Sequence, residues 1–456
     1  MSSCFIYFSM CSVNENDIDS LQLEMRTQCS LKELVCKKCD AAETRILLRN
    51  KDAYCRECFL KNVTHKFRAT LGKSKLIRPS DRLLLATSGS LASAALLHMI
   101  AEGLSEKNNK RFLFTSLAVY IDEGAVLNQS NDERMEAIKA IHSQATNLGF
   151  ELLVVQLSNI FELKNICIYS ITNSIQYSDL FKEYTSQLDE RLRNVFDSTN
   201  SLTSKEDLLS RLRNNLLVAV AKQLDCKKIV LGETGSQLAV QLLTNISLGR
   251  GANLPLDVGF CDGRDEGVLI LRPLKELSAK EVAFYCVFHK LMAVFVPSLT
   301  TKASRMASIR KLTEDFLLGL NVDFPSTLSA VNKIGEKLTA RKEKCTKCIL
   351  CKGYLEAQNR DSSSHQATKF SLNLMREIRS NNDDSCQNEC QEGTETDVGS
   401  SENRSCSDEN SGSRKYVTEE HLCYGCRLVF VDMDQADELI ASLMASYDNV
   451  FSTKDY

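Results

Sequence analysis

No run of eighteen apolar residues occurs in the 456-residue chain, so no segment is expected to cross a membrane as a helix. Excess positive charge is missing too. Lys and Arg number 56 against 59 Asp and Glu, a net of −3, so contact with nucleic acid would need a local patch. The first ten residues include Phe5, Ile6, Tyr7 and Phe8 but no basic leader, and they are too short for an export signal. A soluble, intracellular, reducing setting is the expectation. No internal repeat of fixed period is visible. With 43% hydrophobic and 25% charged residues, the chain reads as ordinary globular protein of two or three domains.

Cysteine is the exception, at nineteen residues. In a reducing setting, closely spaced pairs read as metal ligands rather than disulfides. Cys36-x-x-Cys39 and Cys55-x-x-Cys58 stand fifteen residues apart, the zinc-ribbon spacing. Each pair is expected on a tight knuckle, with four thiolates closing a tetrahedron around one structural Zn²⁺. His65 is a spare ligand that four cysteines make unnecessary. The plainer alternative is two chance pairs of buried thiols. A second group comprises Cys345, Cys348 and Cys351, with Cys423-x-x-Cys426 far downstream. Five candidates compete for four places, and the expected set is Cys345, Cys348, Cys423 and Cys426. Cys386, Cys390 and Cys406 receive no role. Cys167, Cys226, Cys261 and Cys286 are isolated, and Cys226 and Cys286 read as small core residues.

Residues 1–30 read as a flexible tail and 31–65 as the zinc-ribbon module. From 66 to 335 short apolar strands alternate with helix-length amphipathic segments, the pattern of a parallel sheet with crossover helices. Strands are expected at Leu83–Ala86, Phe112–Ile121, Leu152–Leu157, Lys228–Gly232 and Leu269–Arg272. Asn131 is the expected N-cap of a helix that Gly149 stops. Helices are expected around 207–224, 237–248 and 279–290, and 158–206 reads as an insertion. The remainder, 336–456, reads as a C-terminal cysteine-pair zinc module interrupted by a disordered insertion at 355–415. Between Ser380 and Ser413 the only aliphatic residue is Val398, too little apolar surface to offset the entropy of ordering.

After the first strand of the α/β segment the chain turns through Ser88-Gly89-Ser90-Leu91-Ala92-Ser93 into a helix. A small-residue turn at a helix N-terminus is a common phosphate cradle. This one resembles the pyrophosphate loop of the ATP-pyrophosphatase superfamily, Ser-Gly-Gly-x-Asp-Ser, in degenerate form. Ser90 replaces the second glycine and hinders close backbone approach. Leu91 stands where thiolating enzymes carry lysine, and Ala92 where the Mg²⁺-binding acid belongs. The loop reads as a βα turn that has lost its nucleotide.

Taken in order, several segments carry a resemblance to the cytoplasmic tRNA 2-thiolation protein 2 family. They are the cysteine pairs at 36–59, His65-Lys-Phe-Arg-Ala-Thr-Leu-Gly-Lys73, the loop at 88–93, Gly232-Glu233-Thr234 and 242–251. Leu271–Glu276, Lys280–Tyr285, Asp323–Thr327 and Cys423-Tyr-Gly-Cys426 continue it, so it covers nearly the whole chain. The resemblance implies a cytoplasmic heterodimer that thiolates carbon 2 of wobble uridine 34 in tRNA. Sulfur would come from a thiocarboxylated ubiquitin-like carrier protein, and ATP would be bound by the catalytic thiolation subunit alone. That partner carries reactive cysteines. The matching helix here, Asp207–Leu217, has none, and neither does Pro297-Ser298, so no catalytic residue is expected. Two other readings stand beside this one: an adenylating sulfurtransferase active by itself, and a zinc-dependent scaffold without an RNA role.

His65 to Arg82 gathers Lys66, Arg68, Lys73, Lys75, Arg78 and Arg82 against Asp81 alone, with Phe67 among them. A charge run is usually a solvated face. Beside the resemblance it becomes a candidate tRNA-binding segment, in which lysine and arginine would contact phosphates and the aromatic could stack on a base. Lys302, Arg305, Arg310 and Lys311 could extend that surface.

Overall fold

The computed structural model describes residues 35–40, 44–49, 51–105, 111–171, 181, 183–339, 346–355, 421–434, 436 and 439–444. The expected tail 1–30 and all but the first residue of the 355–415 insertion lie outside them.

The described chain begins with a hairpin, β1 (Ile46–Leu48) and β2 (Asp52–Tyr54), which leads into α1 (Arg56–Ser74). Four-residue spacing puts Phe59, Val63, Phe67 and Leu71 on one buried stripe of α1. Phe59, Val63 and Phe67 are at most 1% exposed, and each such burial contributes about 1.5–3 kcal/mol. Then follow β3 (Arg82–Ala86), α2 (Leu91–Leu104), β4 (Thr115–Asp122), α3 (Asn131–Asn147), β5 (Leu152–Gln156) and β6 (Tyr169–Ser170). The central part continues with α4 (Glu183–Asp197), α5 (Leu202–Gln223), β7 (Lys228–Leu231), α6 (Gly235–Ser247) and α7 (Leu254–Val258). Last come β8 (Cys261–Asp262), β9 (Leu269–Leu271), α8 (Ala279–His289), α9 (Ile309–Asp323), α10 (Thr327–Lys337) and α11 (Tyr424–Val431).

Among the described residues seven strands form one sheet, in the order β6-β5-β4-β3-β7-β9-β8. The five inner strands run parallel, and β6 and β8 close the edges antiparallel. The expected parallel α/β architecture is therefore present. Strand order reverses at β3, which has β4 on one side and β7 on the other. Such a switch point opens a crevice beyond the strands' C-terminal ends, and the turn 87–90 lies there.

Alternation along the strands separates two cores. Leu84, Val119, Ile121, Leu153 and Val155 face one side and pack with Leu208, Leu212 and Leu216 of α5. Cys348, Cys351, Cys426 and Phe430 join that same core. Leu83, Leu85, Ala118, Tyr120, Leu152 and Val154 face the other side, against α2, α8 and the N-terminal Ile46, Phe59 and Phe67. Each cysteine-bearing end of the chain is thus packed into one face of the sheet. Part of the 158–206 segment joins it too. β6 extends the sheet, and Leu192, Val195 and Phe196 of α4 pack beside α5.

Candidate metal centres and the nucleotide-loop remnant

Cys36 and Cys39 sit on a knuckle closed by the Asp40 N–H donating to the Cys36 carbonyl at 3.0 Å, with Asp40 at a left-handed φ of 53°. The second pair does not form another knuckle. Cys55 is the N-cap of α1, and its Sγ accepts from the Cys58 N–H at 3.5 Å. The module is therefore knuckle, hairpin and helix rather than a double-knuckle ribbon. A helix N-terminus favours negative charge, which suits thiolate ligands.

The four Sγ atoms lie within 4.8 Å of one another, with Cys39 and Cys55 at 3.6 Å. Tetrahedral zinc with Zn–S of about 2.3 Å spaces its sulfurs about 3.8 Å apart, so the group fits one ion. A four-iron cube would hold its cysteine sulfurs farther apart, across iron edges. His65 is exposed and outside the group. Burial opposes ionisation of Cys36, yet backbone N–H groups of Cys55, Lys38 and Cys39 bring its thiol down to about 6. Cys58, whose thiol is hydrogen-bonded to Cys39 and then penalised by burial, is pushed up to about 12. Such thiols share protons until a cation displaces them. Cys55→Ser is expected to release the N-terminal metal and expose the 35–55 segment to protease, because its strands are three residues each. Metal analysis with limited proteolysis checks this; retained metal would mean the ligand set is wrong.

The second group consists of Cys348, Cys351, Cys423 and Cys426. Cys351 holds the place expected for Cys345, which lies outside the described residues. The local reason is a second knuckle. Lys352 adopts φ 54°, its N–H donates to the Cys348 carbonyl at 2.9 Å, and the Cys348 N–H reaches the Gly353 carbonyl at 2.8 Å. A Cβ on Gly353 would come within 2.6 Å of the Asn253 amide, so a larger residue there would have to displace that side chain. Cys423 is the N-cap of α11, and Cys351 and Cys423 Sγ stand 3.6 Å apart. The two centres share one construction on opposite faces of the sheet.

Buried charge ties this centre to the α/β core. Arg250 donates to Cys426 Sγ at 3.1 Å and Cys423 Sγ at 3.7 Å, and also pairs with Asp207. Arg211 bridges Asp207 at 3.3 Å and Asp257 at 3.4 Å. Arg264 reaches Asp257 at 2.5 Å, Asp262 at 2.9 Å and the Cys351 carbonyl at 3.1 Å. Four thiolates around a divalent ion carry a formal charge of −2, which Arg250 partly balances. Sequence reasoning missed this network, because its members are scattered from 207 to 264. Asp207 and Arg211 lie on the very helix that, by resemblance, carries reactive cysteines in a catalytic subunit. Here that stretch instead carries Asp207, which pairs with the Arg250 that reaches the second cysteine group. The isolated thiols Cys226 and Cys286 are buried as expected, and burial pushes Cys286 up to about 12.

At the remnant loop, Gly89 adopts φ 76°. Val294 and Ile141 fill the space beside it, Val294 Cβ standing 3.0 Å from where a Gly89 Cβ would be. The Val294 N–H donates to the Gly89 carbonyl at 2.8 Å. Ser90 caps α2, its Oγ accepting from the Ser93 N–H at 3.4 Å and from Ser88 Oγ at 3.0 Å. The helix end thus satisfies its own donor where a phosphate would sit.

The basic segment divides. Lys66 pairs with Glu281 at 2.6 Å, and the Arg68 guanidinium lies 5.0 Å over the Phe112 ring. Phe67 is in the core, so it does not stack on a base. Lys73, Lys75 and Arg78 are exposed at the C-terminal end of α1 and just beyond. In the second basic group Arg305 pairs with Asp315 at 3.4 Å, and buried Lys311 with Glu314 at 3.7 Å.

A family model described as cytoplasmic tRNA 2-thiolation protein 2 matches residues 308–428. Curated relatives extend the likeness over the chain. Cytoplasmic tRNA 2-thiolation protein 2-B of Xenopus laevis is 34% identical over 460 residues, covering 89% of each chain. The chain belongs to this family. The Homo sapiens cytoplasmic tRNA 2-thiolation protein 2 is 31% identical over 476 residues, covering 91% of this chain and 90% of its own. Among solved structures, the U34-tRNA thiolase NcsA from Methanococcus maripaludis, with its [4Fe-4S] cluster, matches with a TM-score of 0.50. The match is 17% identical and covers 72% of this chain and 99% of that one, a likeness of fold. This member of the tRNA 2-thiolation protein 2 family thus shares the fold of that thiolase, and among its described residues no helix is long and apolar enough to cross a membrane.

Proposed function

We propose that this member of the family is the non-catalytic subunit of a cytoplasmic heterodimer that thiolates carbon 2 of wobble uridine 34 in tRNA. The catalytic partner supplies the nucleotide loop, ATP and reactive cysteines, and a thiocarboxylated ubiquitin-like carrier supplies sulfur. This chain holds structural zinc in both cysteine groups and positions tRNA and partner. The observation that carries the reading is the helix end at Ser90. It caps itself and is closed over by Val294, with Leu91 and Ala92 in place of a lysine and an acid. The relatives' names support a role in thiolation.

The purified subunit is expected to release neither AMP nor pyrophosphate in the presence of tRNA, and to make no 2-thiouridine. Adding the partner should give thiolation that the partner alone gives poorly. Combining Ser90→Gly, Leu91→Lys and Ala92→Asp should leave the single subunit silent, because α5 carries no thiol. Thiolation by the subunit clear of its partner would sink the assignment.

A further inference from the structure

We propose that His98, Glu102 and His289 form a third metal site, separate from both cysteine groups, which binds one zinc-type divalent ion and pins α8 to α2. Their donor atoms lie within 4.8 Å of one another. His98 and Glu102 are one helical turn apart on α2 and so share a face. His289 is the last residue of α8, whose first residue, Ala279, donates its N–H to Ser236 Oγ of α6 at 3.1 Å and whose flank packs in one core with α2. Neither cysteine group contributes an atom, and the function proposed above does not use these residues.

The surroundings are those of a ligand set. Metal-bound histidines usually donate their second ring N–H to a fixed partner, which sets the tautomer and the ring's direction. His98 Nδ1 lies 2.9 Å from the Tyr285 hydroxyl, and that hydroxyl donates to Glu102 Oε2 at 3.3 Å. The relay is consistent only with His98 Nδ1 as donor, which leaves the Nε2 lone pair for a cation. Tyr285 is fully buried, so it fixes that geometry from beneath. The His289 ring centroid lies 4.4 Å from those of both His98 and Tyr285, with the ring planes tilted by 48° and 42°. Two imidazoles so close disfavour double protonation, and burial, the largest cause for both, holds each below the usual histidine range. Neutral imidazole is the metal-binding form.

Two nitrogens and one carboxylate oxygen suit zinc better than magnesium or calcium, which prefer all-oxygen shells. Glu102 is exposed and the two rings are half-buried, so a fourth position stays open to water. Three donors without a thiolate should hold zinc less tightly than the closed four-sulfur groups, and a chelator should remove this ion first. Its effect is mechanical. Arg56, the residue after the Cys55 ligand, donates to the Phe288 carbonyl at 2.8 Å beside His289. Metal at this site would thus firm the joint between the N-terminal module and the sheet.

The test uses the full chain with its cysteine groups loaded, rinsed with a mild chelator and titrated with Zn²⁺ or Co²⁺. One further equivalent should bind. Cobalt there should give ligand-field absorption without the sulfur-to-metal charge transfer of the thiolate groups. His98→Gln or His289→Gln should abolish that equivalent, and Glu102→Gln should weaken it at least about tenfold. The cysteine groups should stay loaded in all three variants, which reports that they fold. Because Glu102 is exposed, its variant keeps the test decisive should a histidine change disturb packing. No uptake beyond the cysteine groups would overturn the site. So would uptake unchanged in Glu102→Gln, or charge-transfer absorption growing with the added equivalent.

Discussion

Arg250→Ala is expected to cost about 3–5 kcal/mol of stability, because it breaks a buried ion network by removing one partner. The side chain is 2% exposed and bonds Cys426, Cys423 and Asp207 at once. Its loss leaves the Asp207 carboxylate, among the described residues, with the Arg211 ion pair at 3.3 Å. It also removes the charge that partly balances the net −2 of four thiolates and a divalent ion in a low-dielectric core, so the C-terminal metal should leave with the stability. Arg250→Lys should not rescue. The sulfurs and the carboxylate are served by different guanidinium nitrogens in a rigid fork, a span that the single nitrogen of an ammonium cannot match. Chemical denaturation followed with metal release to a chelator reads both effects. A Lys61→Ala control, on the exposed face of α1, should move stability by no more than about 0.5 kcal/mol. A variant within about 1 kcal/mol of the parent that kept its metal would show that Arg250 is incidental to the centre.

The same network has a defined acid limit. Burial raises the Asp257 carboxyl, but Arg264 and Arg211 outweigh it and hold it below the usual carboxylate range. A depressed carboxyl stabilises fully above the unfolded value of about 3.9, and that stabilisation disappears as pH falls through the lower folded value. Between pH 5 and 8 this residue should therefore contribute no slope.

How far the fold and the centres were legible follows from the range over which each signal acts. The parallel sheet was readable because each inner strand is a short apolar run flanked by helical spacing, so β3 and β7 fall where Leu83–Ala86 and Lys228–Gly232 suggested. Two-residue edge strands such as β6 and β8 carry no periodicity and exist only through their neighbours. The start of α3 was off by one. Ser130 is the cap, in a capping box with Glu133, a Ser-x-x-Glu signal that was present in the sequence. The choice between Cys345 and Cys351 also had a local signal, since the knuckle needs a left-handed residue after its second cysteine and Gly353 follows that turn. Nothing local could show that Arg250 would meet Cys426, because that contact spans 176 positions of chain. Phe67 misled for a related reason. A charge run disguised the four-residue apolar stripe that buries it.

Removing charge at Lys73, Lys75 and Arg78 together is expected to weaken tRNA binding by the proposed heterodimer on the order of 10²-fold at ~0.1 M salt. Each phosphate contact contributes roughly 0.7 to 0.9 units to the salt slope, so three lost contacts should flatten it by about two to three units. Of the proposed basic segment, these three are the residues exposed at and just beyond the end of α1. Lys75 caps α1 at φ 52°, and the Arg78 N–H is held by Asp81, itself paired with Lys228 at 2.6 Å, so the turn that presents them is anchored. Lys66 and Arg68 instead face Glu281 and Phe112. Lys66→Ala with Arg68→Ala should therefore lower stability a little and leave the slope nearly unchanged. That contrast separates a phosphate-binding turn from a general loss of positive charge. The measurement is a tRNA titration of the reconstituted complex at several salt concentrations, with partner association as the control. An unchanged slope for the triple variant would move the RNA surface to the catalytic subunit. A slope lost equally in the Lys66 and Arg68 pair would show that net charge, and not the anchored turn, governs binding.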